Sequence, residues 1–97
     1  LVTVMHRAVR SNSSRTSKYT RALGYRWADL RAHLEAQFTP DMTWNNWGDV
    51  WELDHIKPLS SFRYLALDDP LFRRAWALTN LRPLARAANA TKGARTG

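Results

Sequence analysis

The chain has 97 residues, which is room for one domain with one modest core. Its 44% hydrophobic and 24% charged content is that of a globular protein and excludes wholesale disorder; the lack of cysteine excludes a disulfide framework, a thiol nucleophile, an iron–sulfur cluster and any thiolate zinc site. Fifteen Lys and Arg against eight Asp and Glu give a formal charge of +7. Twelve of the fifteen are Arg, whose planar fork suits phosphate. The charges are unevenly spread. Residues 1–28 hold six basic residues and no acid, residues 29–62 hold six acids against Arg31 and Lys57, and residues 63–97 are basic again. Basic flanks fit a polyanion such as nucleic acid, and an acidic middle fits bound cations. Solvated basic faces would look the same in composition. No run approaches about 18 apolar residues and the N-terminus lacks the apolar stretch of a signal peptide, so a cytoplasmic protein with no membrane association is expected.

In chain order, residues 2–9 can form a short helix, with Val2, Met5 and Val9 at helical spacing. A polar Ser/Thr-rich break follows over 11–17, then one helical turn over 18–23 stopped by Gly24. Trp27, Leu30, Leu34 and Phe38 fall on one face of a helix over 27–38, which Pro40 ends. A turn-rich aromatic segment leads into a strand over 50–56 that Pro58 closes. The connection over 57–80 is too long to be idle, and Asp69 as N-cap with Pro70 at the first helical position starts a helix over about 70–76 inside it. A second strand over 81–84 and an Ala-rich helix over 86–92, ended by Gly93, complete the chain. The division expected is a basic, partly helical segment over 1–26 and a domain over 27–97. Trp27 belongs to the core, and for Trp44, Trp47, Trp51 and Trp76 burial is favoured over stacking on bases.

Three polar clusters stand apart: Asp54-His55, Asn80, and Asn89 with Lys92. Each has a plain structural reading: a polar strand end, a turn residue, a helical Asn, and a cation at a helix C-terminus. Their order is more telling. Trp51-Glu52-Leu53-Asp54-His55-Ile56-Lys57-Pro58-Leu59-Ser60, then Thr79-Asn80-Leu81-Arg82-Pro83-Leu84, then Asn89-Ala90-Thr91-Lys92-Gly93 resembles the signature of the HNH endonucleases. Upstream, Leu23-Gly24-Tyr25, the helix up to Phe38 and Met42-Thr43-Trp44 are similar to small phage-type members, so the likeness covers roughly residues 20–95.

That resemblance implies an α+β fold with a ββα-metal (His-Me finger) core and additional N-terminal helices. It implies His55 as general base and Asn80 as the residue that pins the long loop and so orients His55. Asp54 and Asn89 would be the ligands of one divalent cation, Mg²⁺ or Mn²⁺. Zn²⁺ or Ni²⁺ is less favoured because Asn89 stands where some relatives carry His. Lys92, Arg82 and Arg86 would meet DNA phosphates. The acid-free N-terminus lies outside the resemblance, and its charge alone assigns Arg7, Arg10 and Arg15 to the DNA backbone. The chemistry suits these residue types. Neutral imidazole, with an ordinary pKa of about 6.5, accepts a proton near neutrality. A carboxylate and an amide oxygen leave a hard, incomplete shell for water and phosphate to fill.

A DNA endonuclease or nickase of low sequence specificity is therefore expected, acting as a monomer. The alternatives are a non-catalytic nucleic-acid-binding module and a nuclease domain of a larger phage packaging or defence assembly, with phage or host protein partners. The chain opens on Leu1, which fits a boundary inside a larger protein. One geometric difficulty stands: neighbours on a regular strand point to opposite faces, so Asp54 and His55 converge only if the strand twists or ends there. For the N-terminus, the competing expectation is that Val2, Met5 and Val9 pack a helix onto the core and leave the arginines solvated.

Overall fold

A computed structural model describes residues 1–87. Among these residues, four helices and two strands run in the order α1 (Val2–Arg10), α2 (Lys18–Leu23), α3 (Trp27–Glu35), β1 (Trp51–His55), α4 (Pro70–Ala75) and β2 (Leu81–Ala85), with short 3-10 turns at Trp44–Asn46, Leu59–Ser61 and Leu78–Asn80. The architecture is that of a small α+β domain. Among the described residues, no helix is long and apolar enough to cross a membrane. The helix expected over 86–92 has only Arg86 and Ala87 in helical conformation here; its remainder, with Asn89, Lys92 and Gly93, lies outside the described residues.

The basic N-terminal segment is part of the core. Met5 and Val9 are fully buried on the inner face of α1, whereas Val2 is exposed. α1 packs on α3, where Arg31 reaches back to donate to the Val9 carbonyl. The Ser/Thr-rich break ends in a cap for α2. Ser17 Oγ accepts from the Tyr19 N–H (3.2 Å) while the Ser17 N–H donates to Thr20 Oγ1 (2.8 Å). Gly24 ends α2 at φ +82°, a left-handed conformation that suits glycine. Arg73 of α4 lies against it and donates to the Ala22 and Arg21 carbonyls, tying α2 to α4.

α3 is shorter than its apolar spacing predicts. It stops at Glu35, and tighter bonds from Gln37 N–H to Leu34 O (3.0 Å) and Phe38 N–H to Glu35 O (3.1 Å) carry the chain onward. The tighter path delivers Phe38 to the aromatic rings, at 4.8 Å from Trp44 and 5.0 Å from Trp51. Trp47 stacks on Trp51 at 4.7 Å, and the Trp51 indole donates to the Thr43 carbonyl at 2.7 Å. Trp27, Trp47, Trp51 and Trp76 are buried and Trp44 is half-buried beneath the Arg31 guanidinium, so these rings are core and not platforms for bases.

His6 of α1 joins the cluster by stacking on Trp47, with ring centroids 4.5 Å apart. Burial first, and the Arg10 charge second, lower its pKa below the ordinary 6.5. The folded chain therefore takes up this proton at lower pH than the unfolded chain does. The stability it contributes is complete above pH 6.5 and is lost as pH falls from there through the folded value. NMR titration of the His6 ring should give a midpoint below 6.5; a midpoint at or above it would mean that the ring is solvated.

Candidate functional site

β1 and β2 pair antiparallel, with Trp51 opposite Ala85, Leu53 opposite Pro83, Asp54 opposite Arg82 and His55 opposite Leu81. Pro83 lacks an N–H, which this two-stranded sheet tolerates because each strand is an edge. Trp51, Pro83 and Leu81 are buried on the face towards the helices. α3 holds that face through His33, whose Nε2 donates to the Leu81 carbonyl at 2.8 Å.

The strands expected over 50–56 and 81–84 thus occupy Trp51–His55 and Leu81–Ala85, and the helix expected over 70–76 ends at Ala75. The ladder includes both Asp54 and His55, so it does not end between them. Asp54 shares a face with Arg82 and His55 shares the other with Leu81. The Asp54 carboxylate is only 7% exposed, and its Oδ2 accepts from Arg82 Nε at 2.7 Å. The His55 ring meets Trp76 edge-on, with centroids 4.3 Å apart. Trp76 is itself held by its indole N–H, which donates to the Tyr64 hydroxyl at 3.2 Å, and by the Tyr25 hydroxyl, which donates to its carbonyl at 2.7 Å. Burial pushes the Tyr25 phenol well up, so it remains a donor.

Asn80 clamps the point where β1 leaves the sheet. The Lys57 N–H donates to its Oδ1 at 2.8 Å, and its Nδ2 donates to the carbonyls of Lys57 (3.1 Å) and Ala75 (2.9 Å). The Ile56 N–H adds a bond to the Asn80 carbonyl at 2.9 Å. Gripping both the N–H and the C=O of Lys57 requires a side chain that accepts and donates at once, as an amide does. We expect Asn80→Ala to lower stability by about 1–3 kcal/mol, because these backbone groups lose their partner. Denaturant unfolding measures this, and a wild-type midpoint would show that water replaces the amide.

The remaining expected phosphate contacts are placed apart. Arg82 is engaged with Asp54, and Arg86 donates to the Gly48 carbonyl at 2.8 Å. Arg7, Arg10 and Arg15 are exposed, the first two on α1. The acidic middle also has structural duties: Asp29 accepts from the Arg26 N–H at the start of α3, and beyond that region Asp69 caps α4. Among the described residues, no group of three or more His, Asp or Glu is gathered as a metal cluster. Sequence reading missed the Asp54–Arg82 pair and the seat of His55 on Trp76. Alternation along β2 separates Arg82 from the buried Leu81 and Pro83, but the register that sets it opposite Asp54 has no sequence signal.

Set beside other proteins, the chain is similar to two from Acanthamoeba polyphaga mimivirus. It is 32% identical over 69 residues to uncharacterized protein L426, an overlap of 71% of this chain and 30% of the relative. It is 34% identical over 56 residues to uncharacterized protein L246, covering 58% of this chain and 24% of the relative. The chain therefore spans less than a third of the length of these curated relatives. No family model matches it, and no solved structure matches it.

Proposed function

We propose that this domain is a metal-dependent DNA endonuclease or nickase of low intrinsic sequence specificity, built on a ββα-metal unit of the HNH type. The observation that carries the reading is the Asn80 clamp at the foot of the strand end bearing Asp54 and His55. It fixes the exit of a long helical connection between two antiparallel strands, and the chain turns helical again at Arg86. Among the described residues the order is strand, connection, strand and two helical positions, Arg86 and Ala87.

This reading requires the strong twist of a two-stranded ladder to bring Asp54 and His55 to one phosphate; His55 then accepts the proton of the attacking water, and Trp76 fixes the plane of its ring. Asn80 orients His55 through the backbone of Ile56 and Lys57. Asp54 offers a hard carboxylate oxygen that fits Mg²⁺ or Mn²⁺, and Asn89, outside the described residues, would supply the second protein ligand. A bound cation would relieve charge on the phosphoryl and leaving oxygens. The exposed arginines of α1 and Lys57 give the phosphate backbone sequence-independent partners.

A plasmid assay tests the proposal. The chain should convert supercoiled DNA to open circles with Mg²⁺ or Mn²⁺, stop when EDTA is added, and resume when the metal is restored. Binding without cleavage under every divalent metal would leave a non-catalytic nucleic-acid-binding module instead. The length of the mimivirus relatives favours a second form of the same reading, in which the nuclease unit works within a larger protein.

A further inference from the structure

Arg82 and Asp54 are direct cross-strand partners, so the ladder itself fixes their separation. Arg82 Nε lies 2.7 Å from Asp54 Oδ2; the carboxylate is 7% exposed and the arginine side chain 38%. The pair is therefore half-open: the anion is covered and the cation faces outward. The guanidinium donates to the carboxylate through Nε. A guanidinium whose Nε is anchored can still present its terminal nitrogens to a phosphate.

Two consequences follow from charge alone. A divalent cation approaching Asp54 meets a like charge already in contact with the carboxylate. A DNA phosphate approaching Arg82 supplies the negative charge that offsets this opposition. We infer that the Asp54–Arg82 pair couples divalent-cation binding to DNA binding, so that each ligand tightens the other and the cation is held firmly only on DNA. The inference rests on the nuclease reading, in which Asp54 is a cation ligand. Thermodynamic reciprocity requires the two effects to be equal.

Electron paramagnetic resonance of free Mn²⁺ tests it, using the full chain with His55→Ala so that the DNA stays uncut. Mn²⁺ is titrated with and without a short duplex, and the duplex alone provides the baseline. We expect the duplex to tighten Mn²⁺ binding by at least about 5-fold, the lower end of ordinary coupling between sites. Adding Arg82→Gln should tighten Mn²⁺ binding in the absence of DNA and remove the coupling. If Mn²⁺ binds, Asp54→Asn abolishes that binding, and the duplex changes nothing, the inference is overturned and the nuclease reading stands. If Asp54→Asn leaves Mn²⁺ binding unchanged, or no Mn²⁺ binds even with DNA, the nuclease reading fails and takes the inference with it. Phosphate ligation of the cation would by itself couple the two ligands, so the pair is decided by the variants: undiminished coupling in a folded Arg82→Gln protein overturns the inference, and Arg82→Lys, which keeps the charge, should retain the coupling.

Discussion

A His55→Ala protein should fold, bind duplex DNA with the parent affinity, and nick it about 10²–10⁴-fold more slowly, the range a positioned general base contributes. Affinity survives because the proton transfer belongs to the transition state and not to binding. The fold is expected to survive because His55 is the last residue of β1 and is only partly buried. Nicking rate and a binding isotherm are measured side by side. A rate within a few-fold of the parent would remove His55 from the chemistry, while a parallel loss of affinity would make it a contact residue.

The largest stability effect is expected at Trp51. It has no exposed surface, touches Phe38, Trp44 and Trp47, and spends its indole N–H on the Thr43 carbonyl. Truncation to alanine should cost about 3–5 kcal/mol. Domains of this kind hold only about 5–15 kcal/mol in total, and each kcal/mol moves the melting temperature by about 4–8 °C. Trp51→Ala should therefore be marginal at 25 °C, with Trp44→Ala milder because that ring is only half-buried. Thermal melts of the two variants compare them directly. Equal losses would mean that the rings act as separate contacts and not as one cluster around Trp51.

Local signals in the sequence reached their targets where the cause was local. Asp69-Pro70 starts α4, Gly24 stops α2, and the spacing of Trp27, Leu30 and Leu34 places α3 on the core. The end of α3 was overrun because Phe38 keeps the helical spacing while the backbone has already tightened. At the N-terminus the basic composition points to DNA contact and the spacing of Met5 and Val9 to packing; Met5 and Val9 bury α1 against α3 while Arg7 and Arg10 stay exposed on it. Charge describes the outer face of that helix and says little about its inner one. Asp54, His55 and Asn80 were visible as residues, but not their partners. The pairing with Arg82 depends on strand register, and the contact with Trp76 depends on how α4 docks; both are set by tertiary packing.

The sheet joins segments that are far apart in the chain, since residues 56–80 lie between its two strands. Closing a loop of that length costs about 3 kcal/mol in chain entropy before any rung of the ladder offsets it. The helices need no such closure, and contacts of low sequence separation form fastest. Along the folding path, Asp54 and Arg82 should therefore meet late, after α3 and α4 have formed. The Asn80 amide, which holds the Lys57 N–H and carbonyl, and the Asn80 backbone carbonyl, which accepts from the Ile56 N–H, then act as the fastener of that final closure. Faster unfolding, rather than slower refolding, is where its loss would be felt most, because a contact made last is absent from the transition state.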